Sequence, residues 1–355
     1  MTGIALLGAG LFAKEAHLPA LVRLRASLLA VYSRSARSAQ TVLAAAGELG
    51  AAISNIDVYA DELEAEGKGL AALLQRSDIG AVIVALPILV QPDVVRKCLA
   101  AGKHVLCEKP VAKDTKSALE LVKDYERDYL SRGLILSVAE QFRYDRAFTR
   151  ARELVADGRI GKLNHVHARV WGKIQPGDNK WYETEWRKTP EYQGGFILDG
   201  GVHFVALIRY VSGREITKTV SLCRQTYPHL PPVDTVNAAI QFDDGASGSL
   251  SFCFASTKGT FEFIFVGEQG ALTIKGADGK DDTQRIVLEN LEGKAIVDEE
   301  IVGEGIYEEV KAFLGSCAGA THDEKAGARE AIADIAVIES ICAGGGSIEV
   351  FHPGR

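Results

Sequence analysis

Ile4 to Leu7 is a short apolar run, and Gly8-Ala9-Gly10-Leu11-Phe12-Ala13 follows it without a break. A strand that runs straight into Gly-x-Gly-x-x-Gly/Ala and then into a helix leaves few folds open. The first glycine permits a tight turn, the second lets the backbone approach a pyrophosphate, and small Ala13 lets the helix pack close to the sheet. The free N–H groups and partial positive charge of the helix N-terminus then suit phosphate oxygens. Gly8, Gly10, Leu11 and Phe12 are therefore expected to hold a dinucleotide; the alternative is a plain tight turn in a βα unit.

The next strand, Leu28 to Tyr32, ends where such a fold reads the adenosine ribose. Asp or Glu at that point bonds the 2′-hydroxyl of NAD. Here the chain reads Ser33-Arg34-Ser35, with Arg37 close behind and no carboxylate in the stretch. Ser33 and Arg34 can bond a 2′-phosphate, and Arg34 can stack on adenine. NADP(H) is expected over NAD(H); the alternative is that Arg34 and Arg37 are solvated loop residues.

The chain then alternates. Helical stretches at 36–49, 62–75 (with a break at Gly67 and Gly69), 93–101 and 116–129 separate a short segment at 54–59 and strand-like runs at 81–86, 105–107 and 134–139. This alternation predicts a parallel, doubly wound sheet with ligands at the carboxyl ends of its strands. Leu86-Pro87 and Glu108-Lys109-Pro110 are two such ends, so Leu86, Pro87, Glu108 and Lys109 are expected beside the cofactor. A buried strand closing on an acid, a base and a proline is either a site or a turn with an incidental ion pair.

A length of 355 residues makes two domains the default, expected at 1–143 and 144–355, with a C-terminal helix at 325–342 packing back on the first domain. A formal charge of -7 argues against a nucleic-acid surface. The longest apolar run, Ala81 to Val90, is too short to cross a bilayer and contains Pro87. With no charged leader and no Cys-x-x-Cys pair among six cysteines, a cytoplasmic protein with buried free thiols is expected.

After Tyr144 the pattern changes. A helix at 148–156 precedes β-type segments at 165–173, 218–226, 236–242, 247–255, 261–266 and 271–274, with 285–291 and 295–301 continuing the set. The second half is thus expected to be α+β, an open, mostly antiparallel sheet with helices on one face. Val236, Ala238, Ile240 and Phe242 alternate with polar or small residues, whereas Phe261 to Val266 is apolar on both faces apart from Glu262. A second subunit would cover the outer face. The aromatic loop at 176–195 carries Trp181, Tyr182, Trp186, Arg187 and Tyr192, and is expected to form a substrate-pocket wall. It leads into Asp199 and His203, four apart and so on one face of a helix, a spacing that suits proton transfer but equally an N-capping Asp beside a packed His. His165 and His167 share a strand face but have no third ligand in the sequence, so no metal is expected.

Four stretches in order carry a resemblance: Gly8 to Ala13, Ala101-Gly102-Lys103-His104-Val105-Leu106-Cys107-Glu108-Lys109-Pro110, Gly194-Gly195, and Asp199 to His203. Together they resemble the glucose–fructose oxidoreductase/inositol dehydrogenase/rhizopine-catabolism (Gfo/Idh/MocA) family over nearly the whole chain. The resemblance implies an N-terminal Rossmann domain, a C-terminal open sheet through which members pair as homodimers or higher homo-oligomers, and NAD(P)-linked oxidation or reduction of a sugar, polyol or related compound. It implies that Lys109 is the catalytic lysine, that a cis bond precedes Pro110, and that Asp199 and His203 are the family's Asp-x-x-x-His pair. Two stretches depart from the family pattern. Pro87-Ile88-Leu89-Val90-Gln91 replaces an Asn-His element, and Ser137 to Tyr144 replaces an Asn-Arg-Arg-Phe type, which makes Glu140, Gln141 and Arg143 candidate substrate contacts beside Trp181 and Arg187. In the implied chemistry His203 is the general acid/base, Lys109 stabilises charge on the same oxygen, Asp199 positions substrate or His203, and Glu108 contacts the cofactor ribose or the strand-end backbone. The rivals are a non-catalytic NADP-binding sensor on the same fold and a reductase of a dihydrodiol, cyclic imine or tetrapyrrole.

Overall fold

Six apolar runs of four to six residues, each followed by a helix or turn, build the first of two compact units in a computed structural model that describes residues 2–51, 55–280 and 282–351. This unit comprises Met1–Glu140 and Ile306–Arg329; the second comprises Gln141–Gly305 and Glu330–Arg355.

In chain order the first unit contains β1 (Gly3–Leu7), a wide π turn (Ala13–His17) leading into α1 (Leu18–Arg23), β2 (Leu28–Ser33), α2 (Ala36–Glu48) and β3 (Asp57–Ala60). It continues with α3 (Leu70–Leu74), β4 (Ile79–Val84), α4 (Gln91–Ala100), β5 (His104–Glu108), α5 (Thr115–Asp128) and β6 (Leu136–Ala139). All pairings are parallel, in the order β3-β2-β1-β4-β5-β6. The direction of winding reverses between β1 and β4, the point at which such sheets take ligands. β1 is buried along its whole length, as a strand with helices on both faces must be. Ile4, Leu6, Val31, Ile83 and Leu106 join helix residues in the core. The apolar run expected to reach Leu86 leaves the ladder at Val84, and the short segment expected from Ser54 pairs only from Asp57; Ser54 itself lies outside the described residues.

The second unit begins with α6 (Arg146–Ala156), β7 (Leu163–Lys173), α7 (Glu185–Lys188) and α8 (Gly195–Ser212). β8 (Ile216–Arg224), β9 (Thr235–Phe242), β10 (Ser247–Cys253), β11 (Ala255–Gly267), β12 (Gly270–Gly276), β13 (Thr283–Asn290) and β14 (Ala295–Val302) follow. α9 (Gly305–Cys317) then supplies Val310 and Phe313 to the core of the first unit, and α10 (Ala328–Cys342) and β15 (Gly345–Ser347) complete the chain. The sheet runs β14-β13-β12-β11-β7-β10-β9-β8-β15 and is antiparallel except where β7 meets β10. In register, Val166, Ala168 and Val170 lie beside Phe265, Phe263 and Phe261 on one side and Gly248, Leu250 and Phe252 on the other, which makes one apolar face. The opposite face carries His165, His167, Glu262 and the half-buried Ile264. His167 Nδ1 lies 2.8 Å from Ser249 Oγ, and no metal-holding cluster occurs among the described residues.

By length and composition alone α8 could cross a membrane, but 83% of it is buried inside the protein. It also carries Arg209, a fully buried cation. Arg209 donates to Asp334 at 2.7 Å, to Glu215 from Nε at 2.9 Å and to Glu330 from Nη2 at 2.9 Å. Burial disfavours its charge; the carboxylates of Asp334, Glu330 and Glu215 outweigh that and hold it protonated. Asp334 also accepts from Arg143 at 2.6 Å, so one carboxylate joins the turn at 141–143, α8 and α10. The cysteines are free, and Cys98, Cys107 and Cys342 are buried as expected; Cys253 and Cys317 are half-buried and Cys223, near the end of β8, is exposed.

Removing one partner of a buried ion pair leaves the other charge uncompensated and costs about 3–5 kcal/mol. Asp334→Ala takes from Arg143 its nearest carboxylate and from Arg209 one of three, and urea denaturation should register a loss at the lower end of that range. A change below about 1 kcal/mol, the level of a surface pair, would show that the network does not hold this unit together.

Candidate active-site residues

The glycine loop divides its two glycines between different tasks. Gly8 has φ +127°, and a Cβ there would lie 2.1 Å from the carbonyl oxygen of Ala85, just past the end of β4. The fold itself therefore needs glycine at that position. At Gly10 no heavy atom lies within 4 Å of where a Cβ would be. That open space beside the backbone is what a pyrophosphate requires, so the loop fits the dinucleotide expected of it. Leu11 and Phe12, both half-buried, open the helix, which widens when Leu18 N–H bonds Ala13 O. Such wide turns recur at functional sites, and this one ends on fully buried His17.

At the end of β2, Ser33 is half-buried and Arg34 and Arg37 are exposed. Ser35 caps α2 by accepting from Ser38 N–H at 3.2 Å. The absence of a carboxylate holds along the sequence but not in space. Glu62 Oε1 accepts the Ala36 N–H at 2.6 Å, and Asp61 accepts the Tyr32 hydroxyl at 2.5 Å. Burial, followed by that bond to Asp61, pushes the Tyr32 phenol up.

Lys109 is half-buried at the carboxyl edge of β5, and its bond to Pro110 is cis. β5 neighbours β4, which neighbours β1, so the lysine follows a strand two places from the one that feeds the glycine loop. Leu86 and Pro87, half-buried, follow the intervening strand. Glu108 is buried and its Oε1 lies 2.7 Å from His17 Nε2. A carboxylate can only accept, which places the ring hydrogen on Nε2. The residue expected on the ribose or the strand-end backbone thus has a side-chain partner of its own, His17.

In the second unit α8 places Asp199 and His203 one turn apart, as their spacing predicts. Asp199 is not the N-cap; Gly194, at φ +93°, holds that position. The Asp199 carboxylate accepts from Arg187 Nε at 2.6 Å. The Arg187 guanidinium lies 4.0 Å from the ring centre of Trp186 and 5.6 Å from that of Trp181, so two aromatic faces hold the cation that meets Asp199. Burial, and then the charge of Asp199, raises the Tyr192 phenol, while Arg187 opposes the shift. The aromatic loop is ordered from beneath by Ile174, Tyr182, Phe196 and Leu230. The His203 imidazole stacks on Phe142, with ring centres 4.8 Å apart and planes 19° from parallel.

Arg143, a candidate substrate contact, is buried, and its guanidinium ends on Asp334, 191 residues away. Gln141 is half-buried, and its side-chain oxygen has no partner among the described residues. Glu140 is buried. Gln91, whose stretch departs from the family pattern, donates from Nε2 to the carbonyl oxygens of Glu108 at 3.0 Å and Pro110 at 2.8 Å. Its signal in the sequence was that departure.

Two family models match these two halves: residues 2–131 match the oxidoreductase family with an NAD-binding Rossmann fold, and residues 148–273 match the GFO/IDH/MocA C-terminal domain. A dehydrogenase from Fusarium mangiferae, FPY6, is 37% identical over 96% of this chain and 95% of its own length. The chain belongs to the Gfo/Idh/MocA family of oxidoreductases. Among other relatives of this family member, a dTDP-3,4-didehydro-2,6-dideoxy-alpha-D-glucose 3-reductase from Streptomyces violaceoruber is 30% identical over 62% of the chain and 61% of its own length. The crystal structure of an oxidoreductase from Thermotoga maritima superposes with a TM-score of 0.83 at 27% identity, covering 99% of both chains.

The two glycines separate in a simple experiment. Gly8→Ala should lower the melting temperature, because its Cβ meets the Ala85 carbonyl. Gly10→Ala should melt as wild type and bind NADPH at least about tenfold more weakly, a loss of about 1.4 kcal/mol, read by nucleotide fluorescence. Undiminished binding by Gly10→Ala would remove the loop from the cofactor site.

Proposed function

We propose that this chain is an NADP(H)-dependent dehydrogenase/reductase acting on the CH–OH or C=O group of a sugar, polyol or related small molecule. Lys109 carries this reading most directly. An ammonium at the carboxyl edge of the parallel sheet, in a family of oxidoreductases, sits where a Rossmann domain presents its cofactor to substrate. When bound, the pyridine nucleotide supplies the hydride donor or acceptor. Lys109 hydrogen-bonds the substrate oxygen and stabilises the negative charge that develops there. His203 takes the proton from the hydroxyl or returns it to the carbonyl oxygen, since an imidazole nitrogen can accept or donate a proton. Asp199, paired with Arg187, positions the substrate, and Trp181 and Arg187 form part of the wall that excludes water. Gln141 is retained as a substrate contact; Arg143 is not.

Ser33 and Arg34 support NADP(H) over NAD(H): Arg34 is exposed and able to meet a 2′-phosphate, while Glu62 is committed to the Ala36 amide. The half-buried Ile264 and Val266 on the outer sheet face support pairing with a second copy of the chain. The free cysteines fit a reducing cytoplasm.

The direct test is NADPH oxidation and NADP reduction against a panel of sugars, polyols, aldehydes and dihydrodiols. Turnover of sugars or polyols is expected; turnover confined to another class overturns the substrate reading. His203→Asn should lower turnover by about 10²–10⁴ with NADPH affinity retained, and unchanged turnover would exclude His203 from the chemistry. Losing a charge-assisted hydrogen bond costs about 1.5–3 kcal/mol, so Arg34→Ala should weaken NADPH by about 10- to 150-fold and leave NADH nearly untouched. Equal losses with both nucleotides would rule out recognition of the 2′-phosphate.

A further inference from the structure

Gln91 is 1% exposed at the first position of α4, and the mechanism above gives it no task. Both hydrogens of its amide are spent on the carbonyl oxygens on either side of Lys109: Glu108 O at 3.0 Å and Pro110 O at 2.8 Å. Both close partners are acceptors, so the amide nitrogen must face them, whereas Oε1 has no partner among the described residues. β5 ends at Glu108, so Pro110 O lies beyond the strand and takes its donor from this side chain. On the neighbouring residue, the Glu108 carboxylate is tied to His17 at the end of the wide turn that follows the glycine loop.

We propose that Gln91 is a positioning residue for Lys109, clamping the main chain before and after it so that the ammonium is presented to substrate in one orientation. The proposal rests on the role given to Lys109 above. A single hydrogen bond to either carbonyl would satisfy one buried acceptor. Two from one rigid amide, straddling one residue, also fix the direction in which that residue's Cα–Cβ bond leaves the chain. The support is stiff, because Gln91 is anchored in a helix packed on β4 and β5. A misplacement of about 1 Å at a reacting group can cost about 10²-fold in rate, so such support has a function beyond solvating a carbonyl.

The test needs no knowledge of the substrate. Lysines of the full-length protein are methylated with ¹³C-formaldehyde, and the Lys109 signal is assigned by its disappearance in Lys109→Ala. In wild type that signal should be sharp and should move on addition of NADPH. In Gln91→Met, which keeps the side chain's bulk and removes both donors, it should lose its dispersion and its response. NADPH affinity should stay within about twofold, corresponding to less than about 0.5 kcal/mol, with the same melting cooperativity. Should Gln91→Met fail to fold, Gln91→Asn, which keeps the amide but falls one methylene short, is read by the same signal. A Lys109 signal that keeps its position and its NADPH response in the folded variant overturns the proposal. So does a signal lost only in step with NADPH affinity, which would make Gln91 a support of the cofactor site as a whole. A wild-type Lys109 signal indifferent to NADPH would instead count against the role of Lys109 beside the cofactor and leave the clamp a matter of folding.

Discussion

The carboxyl edge of a parallel sheet is where main-chain groups run out of ladder partners, and the first unit is arranged around how that edge is finished. At β1 the chain turns so tightly against Ala85 that a side chain at Gly8 has no room. At β5 an amide from α4 supplies the donor for Pro110 O and a second one for Glu108 O. Two residues beyond Gly8 lies the open space at Gly10. A buried carbonyl left unmade costs about as much as a hydrogen bond at full desolvation, roughly 1–3 kcal/mol. The polar residues gathered at this edge are therefore first a requirement of the fold, and their availability for chemistry follows from it.

The second unit solves a different problem. Its sheet offers one face of Phe, Ile, Leu and Val to the helices, with Phe142, Phe148, Phe204, Phe261 and Phe263 in mutual ring contact. Rings pack firmly but do not distinguish sharply between alternative helix placements. Arg209 and its carboxylates do, since each displaced partner would strand a charge. The aromatic stack that ends on His203 and the ion pair that ends on Asp199 repeat the division on a smaller scale: rings give bulk and charges give direction.

Much of this was legible in the sequence because it is periodic or local. The glycine spacing after Ile4 to Leu7, the alternation of Val236, Ala238, Ile240 and Phe242, and the four-residue step from Asp199 to His203 each constrain neighbours along the chain. Strand ends were less legible: the apolar run continues to Leu86, but β4 ends at Val84 and Ala85 N–H makes a last bond to Leu7 O, because apolarity reports burial rather than hydrogen bonding. What a side chain does with a distant partner was not legible. Arg143 reads as a substrate contact until Asp334 takes it. The ribose end reads as free of carboxylates until the turn after β3 brings Glu62 to Ala36. Gln91 reads as a departure from a family pattern, and only its two carbonyls explain the amide. Each of these turns on a contact between residues far apart in the chain, which spacing cannot encode.

The lone parallel seam in the second sheet has an entropic meaning. β7 and β10 lie side by side, yet His167 and the serine it meets are 82 residues apart. A parallel partner cannot be reached by a tight turn, and closing so long an excursion carries an entropy debt before any seam contact forms. The meander β12–β13–β14, closed by short turns, carries almost none. The long-range closure cost of this sheet is therefore concentrated at β7, whose partners β10 and β11 both lie beyond the excursion that contains the helix carrying Asp199 and His203.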